Sequence, residues 1–105
     1  MTENGEWHVL VEETAGFGRD AYRWTLTKAA RCADRDDARK RAFALAKEYE
    51  PEHPMKPRGR RVFQVGNDTW VVEVPGATTD FHFRVSAALL IHQAGNAPDN
   101  YGAVL

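Results

Sequence analysis

The side chains best placed to do chemistry in this 105-residue chain recur at every second position from 80 to 86: Asp80, His82, Arg84 and Ser86. On a strand that spacing puts all four on one face. An acid, an imidazole, a guanidinium and a hydroxyl in one row can hold an anionic ligand, with His82 as a general base oriented by Asp80. Arg23, on an earlier predicted strand, is assigned to the same ligand or partner face. Side chains two residues apart on a strand are roughly 6.5–7 Å apart, too far for short chains to hydrogen-bond directly. The row therefore reads equally as the polar side of a half-buried strand.

A second group of candidates is basic. Lys56-Pro57-Arg58-Gly59-Arg60-Arg61 contains Pro-Arg-Gly-Arg, which resembles the core of the AT-hook motif. That resemblance covers about six residues. It implies an extended Arg-Gly-Arg lying in the narrow minor groove of A·T-rich DNA, where glycine permits close approach and arginine meets strong negative potential. Lys56, Arg58, Arg60 and Arg61 are then the nucleic-acid contacts. AT-hooks lie in flexible basic tails, whereas this segment joins a helix to a strand and also fits a solvated basic loop. Overlapping it, Pro51-Glu52-His53-Pro54-Met55-Lys56 has the PxxPxK form that SH3 domains read as a polyproline II segment. The same prolines also serve to stiffen a linker.

Other chemistry finds no support. His8, His53, His82 and His92 lack metal-ligand spacing, and the single cysteine, Cys32, has no partner for a zinc site or a disulfide. Gly16-Phe17-Gly18 is too short for a dinucleotide fingerprint. No cofactor or metal is expected. Cys32 reads as a small, partly buried thiol. Net charge is −1, but residues 21 to 61 carry twelve Lys/Arg against six Asp/Glu. Such asymmetry can steer an anionic partner over about a Debye length. The longest apolar run, Ala87 to Ile91, is far short of the ~20 residues of a spanning helix. Together with an acidic start, Met1 to Glu6, and one cysteine, this points to a soluble protein of the reducing cytosol.

The elements that must position these residues follow from periodicity. Trp7 to Glu13 and Ala21 to Thr27 alternate as strands around a glycine-containing loop, Thr14 to Asp20, with Tyr22, Trp24 and Leu26 on one side of the second. Lys28 to Ala33 reads as a connection. Asp34 is an N-cap, and Asp36 and Asp37 suit the positive end of a helix dipole. The helix runs over 34–49 with Ala38, Ala42, Leu45 and Tyr49 on its apolar face, and Pro51 stops it. Arg61 to Val65 and Thr69 to Val74 form a hairpin around Gly66-Asn67-Asp68. A fifth strand starts near Asp80. Ser86 to Gln93 reads either as its continuation or as a short C-terminal helix stopping at Gly95. Residues 1–5 and 96–105 read as loose termini.

The expected fold is one α+β domain of order ββαβββ, a mostly antiparallel five-stranded sheet with one main helix on one face. A helix of ~15 residues is about 22 Å long and ~10 Å wide, while five strands span roughly 20 Å or more. One helix cannot cover one face fully and leaves the other bare. With three Trp and five Phe to place, the expected solution is a cover supplied by a second copy, by the tail or by another protein, a homodimer being the commonest. The leading expectation is a non-enzymatic binding or regulatory module. A nucleic-acid-associated protein using the basic segment 56–61 and the helix follows, and then a small-ligand protein or enzyme using the polar face of strand five.

Overall fold

A computed structural model of the chain describes residues 5–16, 23–54, 57–77 and 79–95. Its elements are β1 (Trp7–Ala15), β2 (Arg23–Arg31), α1 (Arg35–Glu48), β3 (Arg61–Val65), β4 (Thr69–Pro75) and β5 (Asp80–Leu89). The strands form one antiparallel sheet of order β2-β1-β5-β4-β3. The α+β class and the ββαβββ order are those expected from the pattern.

The helix begins where the chemistry of its first turn requires. Asp34 is the N-cap and accepts from the Asp37 backbone N–H, while the Asp37 carboxylate accepts from Ala33 N at 2.9 Å. Orphan donors at the start of the helix are satisfied reciprocally. The bond from Ala33 is the main reason the Asp37 carboxyl lies below its ordinary range. Lys40–Asp36 and Arg41–Asp37 pair at i,i+4 on the exposed side. Ala38, Ala42 and Ala46 are fully buried. These small residues let α1 lie close over β5, β1 and β4, against Val9, Val11, Trp70, Val72, Phe83 and Val85, with Leu45 and Tyr49 packed at the margin.

Two connections pin the helix at its ends. Near its start, Arg35 donates to both oxygens of Asp68 (3.2 and 3.1 Å), and Arg39 Nε donates to the Asn67 carbonyl at 2.9 Å. Asn67 and Asp68 sit in the β3–β4 turn, which Gly66 enters at φ +66, a left-handed conformation that favours glycine. Near the helix end, Arg60 donates to the Ala46 carbonyl at 3.0 Å and the Tyr49 carbonyl at 2.7 Å, with its guanidinium 5.7 Å from the Phe83 ring centroid. A cation bound to the last carbonyls also complements the negative end of the helix dipole.

One expectation needs correction. Lys28 to Arg31 is not a connection but the continuation of β2, paired with β1 from Val11 back to His8. The register shifts between Val11 and Glu12. This bulge breaks the simple alternation on which the shorter boundary rested. Trp24 and Leu26 lie on the side of the sheet away from the helix and are exposed. Of the two readings left open beyond Ser86, the strand is the one found: Ala87 to Leu89 continues β5, and within the described residues no second helix forms. Most of the hairpin loop, Tyr22 and the tail 96–105 lie outside the described residues.

The tight double contact of Arg60 sets a stability prediction. Arg60→Ala is expected to lower the unfolding free energy by about 1–3 kcal/mol, since it strips two charge-assisted bonds from partly buried carbonyls. The midpoint of urea unfolding checks it; an unchanged midpoint would mean the guanidinium does not hold the helix end.

Candidate functional site

Register makes the two faces of the sheet readable as rows, because directly paired residues point the same way. One row under the helix is Val62–Val72–Phe83–Glu13–Thr25. The opposite, open face carries Phe63–Val71–Arg84–Glu12–Leu26, with Arg61–Glu73–His82 on one side of it and Val65–Thr69–Ser86–Leu10–Ala29 on the other. Trp24 closes the open face at the β2 end, its ring centroid 5.0 Å from that of His82.

This placement answers the first set of candidates. Asp80, His82, Arg84 and Ser86 do share one face, and they are spread over exposed, open sheet rather than gathered in a pocket. Each has a neighbour of its own. Arg84 binds Glu12 Oε1 through Nε at 2.8 Å and through its terminal nitrogen at 2.7 Å. Ser86 Oγ lies 3.4 Å from Thr69 Oγ1, and the His82 ring packs against Trp24 at a 34° tilt. Asp80 stands at the end of the strand beside Pro75. Arg23 is not part of this face: it pairs opposite Ala15, on the helix side, one residue out of phase with Trp24.

The basic segment is divided between tasks. Arg60 faces inward onto the helix terminus. Arg61 Nε donates to Glu73 Oε1 at 2.7 Å across the β3–β4 pair, a bond that lowers the Glu73 carboxyl and raises the Arg61 guanidinium relative to their ordinary values. Arg58 is exposed, with its backbone N–H on the Pro75 carbonyl at 2.9 Å. Lys56 lies outside the described residues. An Arg-Gly-Arg free to enter a minor groove would need Arg60 to leave the helix end. His53 and Pro54 are buried, with His53 stacked on Phe81 at 5.6 Å, so the proline pair does not present the open ridge an SH3 domain reads. Cys32 is buried, with its thiol 3.6 Å from the Ala30 carbonyl, and burial pushes its pKa up. Such a thiol is a poor nucleophile.

The feature that sequence reasoning missed is Glu13. Only 1% of it is exposed, and it occupies a row otherwise filled by Val62, Val72 and Phe83. Three donors converge on its carboxylate: the Tyr49 hydroxyl, Thr27 Oγ1 at 2.5 Å and the Glu52 backbone N–H at 2.8 Å. The β1–β2 bulge turns Thr27 toward it. Next to it, Glu52 Oε2 accepts from Gly16 N at 2.7 Å, and His53 Nε2 lies 3.1 Å from the Gly16 carbonyl oxygen. The cluster ties the segment after α1 to the end of β1. The signal was present: Glu13 is in phase with Trp7, Val9 and Val11, whose side chains fill the core.

The chain matches no protein-family model, no curated protein and no solved structure. Functional inference therefore rests on geometry alone. Among the described residues no three His, Cys, Asp or Glu gather closely enough to hold a metal ion, and no helix is long and apolar enough to cross a membrane.

Burial, and then its bond to the Glu13 carboxylate, raise the Tyr49 hydroxyl above its ordinary pKa of 10.0. The folded state thus resists ionisation that the unfolded chain undergoes. The associated stability is complete below about pH 10 and is lost as pH rises beyond it. Tyr49→Phe is expected to cost about 1–3 kcal/mol at neutral pH, by leaving a buried carboxylate short of a donor. Denaturation series from pH 7 to 11 should show the gap between wild type and variant narrowing above pH 10. A constant gap would contradict the assignment.

Proposed function

We propose that the chain is a non-enzymatic binding module that acts as a homodimer, two copies meeting through the open face of the sheet. The observation that supports this reading is the character of that face. Trp24 is 45% exposed, Leu26 38%, Phe63 46% and Val65 54%; Leu10 extends the group at the β2 side and Val71 the group at the β3 side, with the Arg84–Glu12 pair between them. Large apolar side chains grouped on an open sheet face and rimmed by polar residues mark interaction surfaces.

Its charge favours a second copy over a nucleic acid. Glu6, Glu12 and Glu73 are paired with Arg31, Arg84 and Arg61, and Asp80 stands at the end of β5, so the face carries no cationic surplus. Glu12 and Glu73 are already bonded to Arg84 and Arg61 within the same protomer. Exposed pairs of this sort contribute little to the monomer. They matter here because they allow the face to be covered without burying an isolated charge. A phosphate backbone would instead call for a surplus of Lys and Arg. Five strands about 4.8 Å apart, each some 17–30 Å long, give a flat area of roughly 600 Å² before side-chain relief. That approaches the ~800 Å² per partner of a standard interface.

Size-exclusion chromatography with light scattering tests the reading. The expected mass is twice the 11.8 kDa of one chain, and Trp24→Glu, placing a charge in the apolar group at the β2 end of the face, should yield a monomer with unchanged far-ultraviolet circular dichroism. A wild-type monomer at millimolar concentration would refute it.

A further inference from the structure

The sheet ends in two outer strands, β2 and β3. β3 has five residues, no proline and an unbroken register against β4. Among the described residues no strand pairs with its outer side. Alternate residues of such a strand turn their N–H and C=O groups away from the sheet, a ready template for another strand. Beside β3, α1 lies over β5, β1 and β4 and leaves a groove. It holds a cavity of about 270 Å³ lined by Asp36, Arg39, Lys40, Phe43, Gln64 and Trp70. Trp70 is buried, and Phe43, 44% exposed, stands 6.0 Å from it between ring centroids. Pockets for free small ligands usually run ~300–1,000 Å³. This one lies just below that range, is open to solvent, and is large enough to seat one bulky side chain.

We infer that β3 accepts an extended peptide from another protein as a sixth strand, seating one bulky apolar side chain against Phe43 and Trp70 and acidic residues two positions to either side of it. The residue paired opposite Gln64 prolongs the row Gln64–Trp70–Val85–Val11 and so points toward the helix. Residues two positions away point to the same side. There they meet Arg39 and Lys40, or Lys47, whose Nζ lies 4.6 Å from the Phe43 ring centroid. In the groove lining Arg39 and Lys40 outnumber Asp36, with Lys47 beside Phe43; Arg39 already pairs with Asp68 and Lys40 with Asp36, and the cationic surplus that remains favours an acidic peptide over a basic one. The intervening side chains fall on the other face, beside Phe63 and Val65, both exposed.

A display library of random ten-residue peptides selected on the immobilised full-length chain tests this. Enrichment of sequences with one bulky apolar residue flanked by Asp or Glu at the second positions is expected. The selected peptide should bind in fluorescence anisotropy about tenfold more weakly to Lys40→Glu/Lys47→Glu. It should slow amide exchange in β3, and it should still bind Trp24→Glu. Any of four results overturns the inference: no enrichment, enrichment of basic or proline-rich sequences, binding lost in Trp24→Glu, or β3 amides unchanged. β3 amides protected without peptide in a concentration-dependent way would also overturn it, by assigning the edge to a second copy.

Discussion

Everything in this protein is arranged around an unequal division of cover. One helix of fourteen residues lies over a five-stranded sheet, and its width of about 10 Å is less than half the span of the strands. The sheet side it reaches has an aliphatic and aromatic core sealed by three alanines. Close approach is possible there because those alanines are small. The same closeness confines the helix to the central strands, leaving a groove along β3 and the opposite face open.

The orientation of the helix is held by polar contacts at both ends as well as by its buried alanine stripe. Arg35 and Arg39 fasten its start to the β3–β4 turn, and Arg60 fastens its end. Glu13 holds the segment that follows. A buried carboxylate is costly unless its lone pairs are met, and here a hydroxyl from the helix cap, a hydroxyl from β2 and a backbone N–H from the next segment meet them. Removing any one donor leaves the charge underserved. The cluster thus makes three distant pieces of chain depend on one another.

Much of the fold was legible in the sequence. The helix was marked by Asp34, the acidic first turn and Pro51, each of which acts through local chemistry. β3 and β4 were marked by Gly66-Asn67-Asp68. What failed was non-local. The end of β2 depends on pairing with β1 through a bulge, and the facing of Trp24 follows from that register. No periodicity within 21–31 carries that information. Arg60 shows the same limit at the candidate sites. In sequence it belongs to a basic run; in space it is a helix cap, because the chain after Pro57 returns under the helix terminus. The row Asp80, His82, Arg84 and Ser86 was correctly placed on one face by period two, but its pairing with Glu12, Thr69 and Trp24 came from other strands.

The central claim, that the sheet face away from α1 is covered by a second copy, is tested most directly by hydroxyl-radical footprinting over a dilution series. Trp70 should stay protected throughout, since its own helix covers it. Trp24 and Phe63 should be reactive when dilute and become protected together as concentration rises. Reactivity of Trp24 that does not change with concentration, whether high or low, would contradict the account.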